Sequence, residues 1–166
     1  MSVLHVHEFG DPGATGTPVF AVHGIGAHGR RIRRLAEERW PDRRTVAVDL
    51  RGHGRSTYDG PWSNQQHVTD LIDTLDALAL ATVDVVSHSY GGVLALGLLV
   101  EAPERVRSIV LLDPALAQHG AMASEVAMGV IEHPGFADPD EAARWRKGDA
   151  GAEVDEAVRE EIAEHL

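Results

Sequence analysis

The chain contains no cysteine. Disulfide scaffolds, thiolate nucleophiles and thiolate metal sites are thereby excluded. No run approaches the roughly 18 apolar residues needed to span a bilayer. The opening MSVLHVHEFGD lacks the basic and apolar regions of a signal peptide, so the expectation is a soluble cytoplasmic protein. The 17 Gly and 8 Pro are too few for a collagen-like or low-complexity chain. Positive charge is scarce as well. Against 26 Asp+Glu stand only 15 Lys+Arg, a net charge of -11, which argues against any general attraction to nucleic acid or anionic lipid.

What is present is ordinary globular material: 166 residues, 43% hydrophobic and 25% charged, enough for one domain. Charge is unevenly spread. Residues 137-166 hold ten acids and four bases, while seven arginines lie between Arg30 and Arg44. The arginine cluster reads as the solvated face of a helix.

Apolar, β-rich runs alternate with helical patterns. Strands are expected at Val19 to Val22, Thr45 to Val48, Val83 to Val86 and Ser108 to Leu112. Helices are expected over 29-39, 64-80 and 93-100, the last so apolar that it must be buried. Near-continuous apolar strands separated by helices imply an α/β fold: a mostly parallel sheet with helices on both faces and right-handed crossovers. His5 to Phe9 adds an antiparallel edge strand. Beyond Pro114 no strand is expected, and 121-132, 139-147 and 152-164 read as helices. There are no internal repeats.

Two motif readings compete for the turn after the first apolar strand. Gly24, Gly26 and Gly29 satisfy G-x-G-x-x-G between a strand and a helix, and Asp49 ends the next strand about 20 residues on, where a dinucleotide-binding oxidoreductase holds the ribose. On that reading the turn cradles a pyrophosphate at the helix N-terminus. The second reading starts from Val85-Val86-Ser87-His88-Ser89-Tyr90-Gly91-Gly92. Here a strand enters a tight turn and then a long apolar helix, the setting of a nucleophile elbow. Ser87 stands where that motif usually has its first glycine, and it would add strain if the position required a positive φ.

The segments Val22-His23-Gly24-Ile25-Gly26, Asp49-Leu50-Arg51-Gly52-His53-Gly54-Arg55-Ser56 and Ser87-His88-Ser89-Tyr90-Gly91-Gly92 occur in the order seen in the α/β-hydrolase fold family. Ala102-Pro103-Glu104-Arg105-Val106, leading into Leu111-Leu112-Asp113-Pro114, also resembles that family, its esterase and lipase-like members in particular. The resemblance covers roughly residues 3-114. The dinucleotide reading leaves Ser87 to Gly92 unexplained, and the hydrolase reading does not.

The resemblance implies that residues 1-114 are the N-terminal part of an α/β-hydrolase core and that 115-166 resemble the start of a helical cap, within which the chain stops. It implies a serine hydrolase acting on a small carboxylic ester through an acyl-enzyme on Ser89, with no metal and no organic cofactor. The oxyanion hole would combine the backbone N–H groups of Ile25 and Tyr90. His23 would be a structural residue of its turn, His88 a packed neighbour of the nucleophile, and His53 a loop residue. A serine needs a base and an orienting acid, in the chain order Ser, acid, His. The usual positions of both fall beyond Leu166. Asp113 is then the alternative acid, the base stays unassigned, and His119, His133 and His165 satisfy only the order. A catalytically inactive, hydrolase-like interaction protein remains the other alternative. An open sheet edge beside Ile109 to Leu112 would favour self-association.

Overall fold

The computed structural model of the chain describes residues 2-116, 138, 140 and 141. The expected helices beyond Pro114, and with them His119, His133 and His165, lie outside the described residues, apart from residues 140 and 141, which are helical. The chain divides into two compact units, Met1–Leu116 and Ala117–Leu166, and the sheet belongs to the first. Among the described residues no helix is long and apolar enough to cross a membrane.

Among the described residues five strands form the sheet: β1 (Val6–Phe9), β2 (Val19–Val22), β3 (Thr45–Val48), β4 (Val83–His88) and β5 (Val106–Leu112), in the spatial order β1-β3-β2-β4-β5. β1 runs antiparallel to β3, and every other pairing is parallel. Of the central strands, β2 and β3 are buried at every position and β4 at every position but His88. This is why they read as continuous apolar runs rather than alternating ones.

Strand order also places the helices. From β2 the chain moves outward to β3, then returns past β2 to β4 and continues to β5. Right-handed crossovers therefore put α1 (Arg33–Arg39) on one face and α2 (Asn64–Ala77) and α3 (Tyr90–Glu101) on the other. The direction reverses between β2 and β4, so the loops leaving their C-terminal ends diverge and open a crevice there. In the core Phe20, Val22, Val46, Val48, Val83 and Val85 pack with Leu71, Leu75, Leu94 and Leu98.

Helix boundaries follow local chemistry. Ser63 caps α2, its Oγ accepting the Gln66 N–H at 3.2 Å. The expected helix over 64-80 stops at Ala77 because Ala79 takes φ 52°. The Leu80 N–H then bonds to the Leu75 carbonyl and the Ala79 N–H to the Asp76 carbonyl, a Schellman closure made without glycine. The segment expected as one helix over 29-39 begins as a 3-10 turn, Gly29–Ile32, and becomes α-helical at Arg33. On its exposed face Arg33 and Arg34 pair with Glu37 and Glu38 one turn on.

Burial of α3 is a correction. Gly91, Gly92, Leu94, Ala95 and Leu98 are buried, but Val100 is 77% exposed and Leu99 is exposed too. The helix packs on β4, β5 and α2, and a cylinder touched from one side hides one stripe only, however apolar the rest. β5 is the last strand of the described sheet and behaves likewise, with Val110 49% exposed.

Candidate active site

Loops from the two strands flanking the crevice meet at Ser89. It connects β4 to α3 with φ 51° and ψ -121°, a conformation that L-residues rarely adopt and that costs about 1–3 kcal/mol. Its backbone is fully engaged: the N–H donates to the Leu112 carbonyl at 3.1 Å, and its carbonyl accepts from Gly92 at 2.9 Å and Ala115 at 3.1 Å. Although Ser89 stands at the N-cap position of α3, its hydroxyl makes no capping hydrogen bond, so the side chain is not spent on the helix end. The strain lies at Ser89 and not at Ser87, which has no positive φ. Ser87 is buried, its Oγ 3.4 Å from the Val110 carbonyl, and the expected strain there does not arise.

Small residues allow the approach. A Cβ on Gly91 would lie 2.4 Å from the Val22 carbonyl oxygen and 2.5 Å from that of His23, and one on Gly24 would lie 2.8 Å from Ser89 Cβ. The turn after β2 therefore rests directly against the elbow after β4. Its Ala27 N–H closes onto the Gly24 carbonyl at 3.3 Å, with Gly26 at φ 68°, the requirement of a type II turn.

Two histidines hold this turn. His23 Nδ1–H donates to the Gly24 carbonyl at 2.7 Å and Nε2 accepts the Leu50 N–H at 2.9 Å. Each partner has a single possible role, so the tautomer follows from the bonds. Burial drives the His23 pKa down to about 3 against the opposing pull of the Gly24 carbonyl; the ring stays neutral and is no general base. Because a trans peptide points its C=O and N–H in opposite directions, the bond to the Gly24 carbonyl orients the Ile25 N–H. His53, a loop residue as expected, donates from Nδ1 to the Arg51 carbonyl at 3.0 Å and accepts the Gly26 N–H on Nε2 at 3.1 Å.

Tyr90, directly after Ser89, is held from α2. Its hydroxyl donates to Asn64 Oδ1 at 2.7 Å, and its ring meets His67 edge-on at 5.8 Å. Burial lowers the His67 pKa. Sequence reasoning missed Asn64 and His67, because nothing local links them to Tyr90. Asp70, also on α2, makes a buried two-pronged pair with Arg51 at 2.7 and 2.8 Å, which ties the loop after β3 to the same helix.

The remaining expectations divide. Asp113 is exposed beyond the end of β5 at φ 44°. His88 is exposed rather than packed, since its side chain lies at the rim where β4 ends. A cleft of about 190 Å³ runs along the α1 face of the sheet, lined by Ala21, Val86, Ile32, Leu35, His88 and Leu112 among others, with Ser89 outside it.

The dinucleotide reading is corrected by Asp49. Its carboxylate is buried and accepts from the Gly29 N–H at 2.7 Å, the Arg55 N–H at 3.0 Å and His7 Nε2 at 3.0 Å. Burial alone would raise its pKa, but these bonds outweigh it and hold the carboxyl well below the usual range. Buried and already bound to three donors within the protein, this carboxylate is not presented to a ribose. His5, His7 and Asp49 do bring ligand-type atoms within 4.8 Å of one another, yet the carboxylate is already committed to locking the Gly29 turn to the loop after β3.

The model of the Alpha/beta hydrolase family matches residues 19–164. Lipase LipV of Mycobacterium tuberculosis (strain ATCC 25618 / H37Rv) is 39% identical over 164 residues, covering 98% of this chain and 62% of the lipase. Esterase YbfF of Escherichia coli (strain K12) is 31% identical over 97 residues, 58% of this chain and 38% of the esterase. The crystal structure of an alpha/beta hydrolase from Novosphingobium aromaticivorans DSM 12444 superposes with a TM-score of 0.79 at 23% identity, covering 98% of this chain and 59% of that one. The chain thus spans about three fifths of the length of the lipase and of that hydrolase.

Proposed function

Since the chain belongs to the alpha/beta hydrolase family, we propose that it is the Ser89-bearing part of a serine hydrolase acting on small carboxylic esters. The observation that carries the reading is Ser89 itself: strained, uncapped, and set against the turn that holds Ile25. Ser89 Oγ attacks the ester carbonyl as its proton passes to a base. The carbonyl oxygen becomes an oxyanion, which the Ile25 and Tyr90 N–H groups stabilise. Collapse expels the alcohol and leaves an acyl-serine, which water then hydrolyses. Net charge favours small substrates over nucleic acid.

The base and acid are the open part of the constellation. Both nitrogens of His23 and of His53 are occupied, and His88 precedes the nucleophile. Chain order puts both partners after Ser89, with Asp113 as the acid position on the described residues. LipV and YbfF are named as lipase and esterase, which supports ester chemistry for this chain.

The test is labelling with a fluorophosphonate probe followed by peptide mapping. Slow labelling confined to Ser89, and lost in Ser89→Ala, is the expected result. Labelling at another serine, or none under prolonged exposure to excess probe, overturns the assignment.

A further inference from the structure

The turn carrying Ile25 has two supports that differ in one chemical respect. His23 grips the Gly24 carbonyl with an N–H and is buried too deeply to change state. His53 grips the Gly26 N–H with a lone pair and sits half-buried. Its Nδ1 must carry the hydrogen, because the Arg51 carbonyl opposite it can only accept. Its Nε2 must therefore be bare. Adding one proton to this ring places an N–H against an N–H, and the bond becomes a repulsion.

We propose that His53 is a positioning residue that latches the Ile25 turn when its ring is neutral and releases it when the ring is protonated. The latch secures the peptide between Ile25 and Gly26, whose orientation distinguishes a type II from a type I turn. Among the described residues, no other group facing His53 duplicates this response. From the end of β2 comes His23, its ring centre 5.0 Å away, neutral down to a pH of about 3. From α2 comes His67, whose charging is opposed by burial. In its own loop Arg51 is paired with Asp70, Arg55 follows two residues on, and Asp49 stays ionised well below neutrality. The consequence for catalysis rests on the serine-hydrolase reading; the latch itself does not.

The experiment follows the 15N-labelled 166-residue chain by NMR from pH 8 to pH 5. At high pH a through-hydrogen-bond coupling should link the Gly26 nitrogen to His53 Nε2, and it should vanish as the imidazole titrates. The Gly26 amide shift should follow with the same midpoint. His53→Gln offers a side-chain oxygen that does not titrate, so its Gly26 amide should stay flat over this range. Fluorophosphonate labelling of Ser89 in the wild type should fall as His53 protonates, to about a tenth one pH unit below the midpoint, and the Gln variant should be spared that component. A Gly26 amide indifferent to His53 titration, or one that titrates equally in the Gln variant, overturns the latch. Absence of labelling alongside the NMR signature refutes the hydrolase reading and leaves the latch standing.

Discussion

Replacing Asp49 by alanine isolates what this carboxylate does. Three donors converge on it: the buried Gly29 N–H, the Arg55 N–H and His7 Nε2. A buried backbone donor left without a partner costs about 1–3 kcal/mol, and bonds to a charged acceptor contribute about 1.5–3 kcal/mol each. Partial rehydration of Arg55 and His7, which are less deeply placed, lowers that sum. The expected loss for Asp49→Ala is about 3–5 kcal/mol, a large share of a domain's usual margin. Urea unfolding followed by tryptophan fluorescence measures it, the midpoint falling while the slope stays constant. The pH dependence supplies a second check. A carboxyl whose folded pKa is depressed contributes stability that is present above its unfolded value near 4 and is lost as pH falls below it. The gap between wild type and Asp49→Ala should therefore be full at pH 6 and narrow below pH 4. A loss under about 1 kcal/mol, or a gap that does not change with pH, would refute the reasoning. Under a ribose-binding role the substitution would have left the fold untouched.

Ser89→Gly should raise stability by about 1 kcal/mol by relieving the φ of 51°, seen as a higher Tm; a lower one contradicts the strain argument. For His23, the folded pKa of about 3 lies below the unfolded value near 6.5, so the unfolded chain takes up the proton first. Stability should then decline by about 1.4 kcal/mol per unit as pH falls from 6.5 towards 3, with His23→Gln removing much of that slope between pH 6.5 and 4.5, and an unchanged slope counting against a buried neutral ring.

The sequence by itself determined the α/β alternation, the four parallel strands with an antiparallel edge, and the elbow at Ser89. These features are carried by short-range signals: apolar runs, helical periodicity, and small residues around a strand-to-helix turn. Only the tertiary structure decided which distant segments meet. The strand order sets β2 beside β4, which brings Gly24 against Ser89. It gives Asp49 its three donors, Tyr90 its hold on Asn64, and the Gly26 N–H its partner in His53. Composition likewise showed that α3 is apolar, while its neighbours decided that Val100 faces solvent. Hydrophobic pattern records what a segment can bury; which side chains and backbone groups it meets depends on sheet order and crossover hand, properties of the whole chain.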